Sequence, residues 1–432
     1  MSVRGLMGRR AAAGRSPRIG LFGLLGVGNI GNDASLEAML SYLAAAHPDA
    51  AIDALCGGPK VVAARYGIPA MPLYWYDELD LQVPAVVAAV LKVFGRVTDL
   101  VRTLRWVRRH DVVIVPGMGI LEASLPLRAW HTPYALFLLC AAAKLVGTRV
   151  ALVSVGAGRI NQRPCRWLFN LAARMAYYRS YRDAGAREAM RQRGLDTTRD
   201  HVYPDLAFAL PPEAYWAGDP QKVVVGVMGY YGNNDDRKHA NEVHEAYVAK
   251  MTAFVRWLVD NDRQVSLIIG DTNGSDVVVA QQIVADINAS RPGLDPSRLV
   301  AEPVATFADV ARTIQLAASV VAIRYHNVLC ALKLAKPTLA IGYSPKHGAL
   351  MTDLGLADFC ESVRSLDVDQ LIERFTELER RSTELRQILV ERNAVNVERL
   401  DDQFAELSAV LRGGRQPVPR RSEPVPVVRD MA

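Results

Sequence analysis

From residue 18 onward, short apolar runs alternate with stretches of helical periodicity. Arg18–Leu25 is an apolar run ending in glycines, the pattern of a buried strand, and Ala34–Ala46 spaces Leu36, Met39, Leu40 and Leu43 as one helix face. Ala51–Leu55, Val112–Val115 and Arg149–Val155 read as further strands, the last two ending at Pro116-Gly117 and Gly156. Helices are expected over 133–146, 165–178 and 185–193, with a short strand at Ser180–Tyr181. The proline-rich segment 211–220 interrupts this rhythm and marks a linker. A second cycle follows, with strands at Val223–Met228, Gln264–Ile269, Leu299–Val300, Val320–Ile323 and Thr338–Ile341. Its helices fall at 241–260, 276–289, 306–317 and 327–335, and helices 367–379 and 382–411 close the chain. Such alternation predicts an α/β protein of two Rossmann-like domains whose parallel sheets face a cleft. The N-terminal domain is expected over 18–210 and the C-terminal domain, with the closing helices, over 221–411. In open sheets of this type, ligands gather where strand C-terminal ends meet the cleft.

Length agrees with two cores, since 432 residues exceed what one usually organises. The net charge of +6 does not change the picture, because it sits at the ends. Residues 1–17 hold four Arg and no acid, and residues 412–432 hold five Arg against Glu423 and Asp430. Both read as disordered tails, the rest is close to neutral, and no nucleic-acid partner is expected. The five cysteines are scattered with no CxxC pair, which suits a reducing cytosol and provides no zinc pattern. The N-terminus lacks an apolar signal core and no run reaches the ~20 apolar residues of a spanning helix, so a cytoplasmic protein is expected. Residues 86–109 interleave Val, Leu and Phe with Lys92, Arg96, Arg102, Arg105, Arg108 and Arg109. This stretch reads as a helix pair packed on its own domain. The alternative, second to that reading, is a basic amphipathic surface for peripheral contact at the inner face of a membrane, which would suit a lipid-linked saccharide.

Two segments carry candidate chemistry. Gly26-Val-Gly-Asn-Ile-Gly31 satisfies the dinucleotide pattern GxGxxG, but that pattern wants an acid at the end of the second strand. Asp53 lies inside Ala51–Leu55 instead, which argues against nicotinamide binding. The extension through Asn32 and Asp33 puts three polar side chains at a helix start, where Asn32 or Asp33 can serve as a cap and Asn29, less readily a cap, either binds sugar hydroxyls or positions the opposing domain. The second segment is the strand Val320–Ile323 with Arg324-Tyr-His-Asn327, followed by the strand Thr338–Ile341 with Gly342-Tyr-Ser-Pro-Lys346. Two adjacent strand ends would deliver Arg324, His326, Tyr343 and Lys346 to one lip of the cleft. Arg offers a bidentate fork, Lys a point charge and His a proton carrier near neutrality, a set suited to a substrate with two anionic groups. The bland alternative is that Arg324 and His326 form structural ion pairs. Asp271-Thr-Asn-Gly-Ser-Asp276 is either a ligand loop or a turn with a cap.

Several of these segments, in order, resemble the polysaccharide pyruvyl transferase family. They are Asn29-Ile-Gly-Asn-Asp33, Pro116-Gly-Met-Gly-Ile120 with Met118 where glycine is usual, and Ser154-Val-Gly-Ala-Gly158. Tyr181-Arg-Asp183, Pro204-Asp205, Arg324-Tyr-His326, Lys336-Pro337 and Tyr343-Ser-Pro-Lys346 continue the series. The resemblance implies a glycosyltransferase-B-like architecture and transfer of a carboxyethylidene group from phosphoenolpyruvate to a saccharide or lipid-linked saccharide, forming a ketal. Phosphoenolpyruvate would serve as co-substrate, with no other cofactor and no metal. On that reading His326 and Arg324 are the catalytic candidates, and Arg324, Tyr325, Tyr343 and Lys346 bind the donor. Asn29, Gly31, Asn32 and Asp33 face the acceptor, and Asp205 holds a turn. A nucleotide-sugar glycosyltransferase or epimerase of the same architecture would instead use Gly270–Ser275 for a diphosphate. A non-catalytic sugar-phosphate-binding protein is the third reading.

Overall fold

The structure is a computed structural model describing residues 16–78, 85–122, 128–211, 215–232, 234–272 and 274–414. Most of both expected tails, the middle of the expected linker and Asn273 lie outside the described residues. The N-terminal strands are β1 (Arg18–Gly23), β2 (Ala51–Cys56), β3 (Ala70–Pro72), β4 (Val112–Pro116), β5 (Arg149–Val155), β6 (Tyr178–Tyr181) and β7 (His201–Val202). They form a parallel sheet in the order β3-β2-β1-β4-β5-β6-β7. The interspersed helices are α1 (Ile30–Ala46), α2 (Pro59–Tyr66), α3 (Ala85–Val107), α4 (Thr132–Val146), α5 (Arg163–Met175) and α6 (Ala184–Gln192). The order reverses beside β1, so the loops after β1 and β4 meet at the switch point where open sheets bind ligands.

The C-terminal strands β8 (Asp219–Gly226), β9 (Gln264–Ile268), β10 (Leu299–Ala301), β11 (Ala317–Ala322), β12 (Thr338–Gly342) and β13 (Cys360–Ser362) repeat this plan as β10-β9-β8-β11-β12-β13. Their helices are α7 (Ala240–Asp260), α8 (Ser275–Ser290), α9 (Phe307–Leu316), α10 (Tyr325–Lys333), α11 (Pro345–Asp353), α12 (Val368–Arg380) and α13 (Ser382–Leu411). Central strands such as β4 and β11 are buried nearly end to end, as strands covered on both faces must be. Most of residues 86–109, expected as a helix pair, form the single helix α3, in which Gly95 lies against the Trp75 ring.

Helix α13 binds both domains. Its Asn393 donates to the Leu332 and Lys333 carbonyls at 2.9 and 3.0 Å. Three turns later Gln403 donates to Ser154 Oγ and Ser180 Oγ at 2.9 and 2.8 Å, and Phe404 stacks on Tyr42. The end of α13 therefore packs on the N-terminal sheet, although the expected boundary at 411 assigned it to the C-terminal domain. Gln403→Leu leaves two buried serine hydroxyls short of a partner. It should lower stability by about 2–3 kcal/mol in urea unfolding.

Candidate active site

β11 and β12 are parallel neighbours, pairing Val320 with Thr338 and Ala322 with Ala340, so the loops after them emerge side by side. His347 pins them together, with its Nε2 2.9 Å from the Ile323 carbonyl and Nδ1 3.2 Å from the Ser344 carbonyl. Burial, with Lys346 next to it, pushes His347 down to about 3, so its ring is neutral and donates to one of these two carbonyls, Ile323 being the nearer. The four expected side chains do stand at this edge, but they do not converge on one point. Arg324 turns toward α8 and forms a bidentate pair with Asp276, Nε–Oδ2 2.8 Å and Nη2–Oδ1 2.6 Å. Asp276 is fully buried and also accepts the Gly229 and Gly270 N–H groups, so it is neither a ligand residue nor a plain cap. Lys336, matched by resemblance, is remote from this edge and donates to the carbonyls of Trp216, Gln315 and Ala317.

Lys346 instead crosses the cleft. Its Nζ lies 3.2 Å from Glu122, which pairs with Arg182, and Arg182 reaches Asp205 at 3.4 Å. Asp205 Oδ2 then stands 3.7 Å from His326 Nε2, an atom buried with no hydrogen-bond partner. Tyr325 sits among them, with Arg182 4.6 Å and Lys346 5.5 Å from its ring centroid and the His326 ring edge-on at 5.2 Å. Tyr343 completes the wall, 5.4 Å from Lys346 Nζ. Burial alone would raise both carboxyls. The cations win: Lys346 and Arg182 hold Glu122 at about 2, and His326 with Arg182 holds Asp205 at about 2. Both folded values lie below the ordinary 4.5 and 3.8. The stabilisation is therefore present above those values and lost as pH falls toward 2. Unfolding midpoints should drop over that window, and Glu122→Gln should show a shallower drop than the unsubstituted protein.

Across the cleft, the glycine loop holds itself together. Asn29 caps α1 by accepting the Asn32 N–H at 3.1 Å, and Asn32 Nδ2 donates to the Leu24 carbonyl at 3.0 Å. Asp33 accepts the Gly26 N–H at 2.8 Å and pairs with Arg65 at 3.4 Å. These bonds shape the turn, so Asn32 and Asp33 do not point an acceptor-binding group at His326. Gly31 does meet it: a Cβ there would lie 1.8 Å from His326 Nδ1. The backbones touch as well, with Ile30 N–H donating to the Gly270 carbonyl at 3.2 Å and Thr272 N–H to Gly28 at 3.0 Å. The third glycine of GxGxxG thus admits the opposite domain. Asp53, the would-be ribose ligand, accepts from Trp106 Nε1 at 2.6 Å and pairs with His110.

Glu122 and Arg182 were not among the sequence-derived site residues. Arg182 lay in a matched motif without a role, and Glu122 follows the Pro116–Ile120 turn with no pattern of its own. Met118 adopts φ +53° and fills the space above Gly23, where a Cβ would meet its Cε at 2.5 Å.

Comparison with known proteins agrees with this architecture. The chain is similar in fold to S. aureus MnaA in its UDP co-structure (TM-score 0.57, 12% identity, covering 93% of this chain and 99% of that one). It is similarly related to the UDP-GlcNAc 2-epimerase of Neisseria meningitidis bound to UDP-GlcNAc (TM-score 0.53, 12% identity, 89% and 99% covered). The N-terminal domain of Candida albicans trehalose-6-phosphate phosphatase is a third neighbour (TM-score 0.58, 10% identity, 92% and 97% covered). At such identities the likeness is one of fold, the two-domain glycosyltransferase-B-like arrangement. No curated protein sequence matches. The profile described as polysaccharide pyruvyl transferase matches residues 29–345, from the capping Asn29 to Pro345, the residue before Lys346. That span takes in both walls of the cleft, and the chain belongs to the polysaccharide pyruvyl transferase family.

Proposed function

We propose that the protein transfers the carboxyethylidene group of phosphoenolpyruvate to two hydroxyls of a saccharide at the interdomain cleft. The observation that carries this reading is the chain of charges Lys346–Glu122–Arg182–Asp205–His326, drawn from both domains, buried at Arg182 and Asp205 and partly exposed at the other three. Lys346 and Arg182 are cations already bridged by a carboxylate, so the donor's carboxylate or phosphate would meet a site shaped for such a group and compete with Glu122. Arg324, with two of its nitrogens held by Asp276, is rigid enough to take a second oxyanion on its remaining Nη1.

His326 protonates the donor's methylene carbon, and a sugar hydroxyl adds to the resulting oxocarbenium-like carbon. That hydroxyl's proton restores the imidazolium. The second hydroxyl displaces phosphate, its proton leaves with phosphate, and the ketal closes. Asp205 positions the imidazole, while Lys346 and Arg182 offset charge on the departing phosphate. A nucleotide-sugar reaction would need the loop after β9 as a diphosphate cradle. There the Gly270 and Thr272 N–H groups are committed to Asp276 and Gly28. Phosphate release from phosphoenolpyruvate, measured over a panel of saccharides and lipid-linked saccharides, tests the reading. Release should depend on one acceptor class, and turnover of UDP-sugars without phosphoenolpyruvate would overturn it.

A further inference from the structure

The layer formed by α3, α4 and α5 carries a surface that the candidate site does not use. Phe94 on α3, Trp130 just ahead of α4 and Trp167 on α5 are 63%, 66% and 62% exposed. Aromatic side chains contribute most when buried, so three on one layer mark a contact area. The helices adjoin: Tyr134 on α4 donates to the Arg96 carbonyl on α3 at 3.2 Å, and Phe137 on α4 stacks with Trp167 at 6.4 Å. Trp130 lies 6.3 Å from Tyr134, and Val97, one turn from Phe94, extends the apolar stripe along α3. Helices that follow parallel strands begin at the C-terminal edge of the sheet. Trp130 and Trp167, near the starts of α4 and α5, therefore stand at the end of the layer beside the cleft.

The charge here is one-sided. Residues 85–182 contain fifteen Lys or Arg against three acids. Asp99 is buried with Arg96 and Arg102, Glu122 is held by Arg182 and Lys346, and Asp111 accepts the Arg18 N–H. Arg128, two residues before Trp130, and Arg163, one helical turn before Trp167, are exposed. Moreover, α3, α4 and α5 have no acid in their first turns, and α5 opens on Arg163. The macrodipole favours acids at a helix start, so Arg163 at the opening of α5 adds positive charge where the helix itself does not call for it.

Indole rings with an apolar body and a polar edge, set among arginines, match the headgroup region of an anionic bilayer in shape and charge. We propose that the α3–α4–α5 face docks peripherally on an anionic phospholipid surface. There it would turn the cleft toward a lipid-linked saccharide, a consequence that rests on the pyruvyl transfer reading. No described helix is long and apolar enough to cross the membrane, so the contact is a surface one.

The test is co-sedimentation of the full chain with vesicles of phosphatidylcholine alone, or of phosphatidylcholine and phosphatidylglycerol in equal parts. The protein should bind the anionic vesicles, come off at high salt and show a blue shift in tryptophan emission. Trp130→Ser with Trp167→Ser, and separately Arg128→Glu with Arg163→Glu, should each weaken binding by about tenfold or more with circular dichroism unchanged. Vesicle binding requires no turnover, so its outcome is separable from that of the transfer assay. Three results would overturn the proposal: no binding to anionic vesicles at low salt, binding unaffected by both double variants and so carried by the basic tails, or self-association through this face without vesicle binding.

Discussion

Gly31→Ala should leave a folded protein that has lost at least about 100-fold in transfer rate, because its new methyl group occupies the place of the His326 ring. Gly31 is in α1 and its φ is not positive, so the substitution carries no backbone penalty. The cost is steric. The added Cβ would lie 1.8 Å from Nδ1 and 2.0 Å from Cγ of His326, distances no side chain tolerates. Either the imidazole swings away from Asp205 or the two domains part, breaking the Ile30–Gly270 and Thr272–Gly28 backbone bonds. Stability should fall by only about 1–3 kcal/mol, the usual cost of overpacking. The informative comparison is kcat beside the unfolding midpoint. A variant that unfolds at nearly the same denaturant concentration yet has lost transfer locates the defect in the cleft, whereas full activity would show that the close approach is not needed.

His326→Gln should reduce kcat by about 10²–10⁴-fold, the range for a removed general acid, with smaller change in KM for phosphoenolpyruvate. Glutamine keeps the volume and a hydrogen-bonding end but cannot carry a proton through the reaction. Asp205→Asn should give an intermediate loss, since the imidazole remains while the carboxylate 3.7 Å away that orients it is gone. If instead His326→Gln raised KM and left kcat alone, the residue would be a donor ligand only.

Much of the fold was legible because buried parallel strands announce themselves as continuous apolar runs. β1, β2, β4, β5, β9 and β12 fall within a residue or two of where the pattern puts them. The missing strands are the short ones: β3 and β13 have three residues and β7 has two, too few for any period to show. Helix α2 went unread for another reason, since it buries only Val62 and so has no apolar stripe. The candidate site was half legible. The strand-end rule places Arg324, His326, Tyr343 and Lys346 at one edge, but it does not say which way a long side chain turns. That is set by partners far away in sequence: Asp276 for Arg324, and Glu122, 224 residues distant, for Lys346. The polar run from Asn29 to Asp33 misled in the opposite direction. Its side chains satisfy the backbone of their own turn, and the other domain meets Gly31 together with the backbone of Gly28 and Ile30.

The central claim is that this cleft holds phosphoenolpyruvate between cations from both domains, and thermal unfolding with added ligands tests it most directly because no acceptor need be known. Phosphoenolpyruvate should raise the unfolding midpoint with concentration, approaching about 2.7 kcal/mol of stabilisation at 100 times its dissociation constant. Lys346→Met should remove that response while remaining folded. Stabilisation by a UDP-sugar or NAD with none from phosphoenolpyruvate would contradict the account.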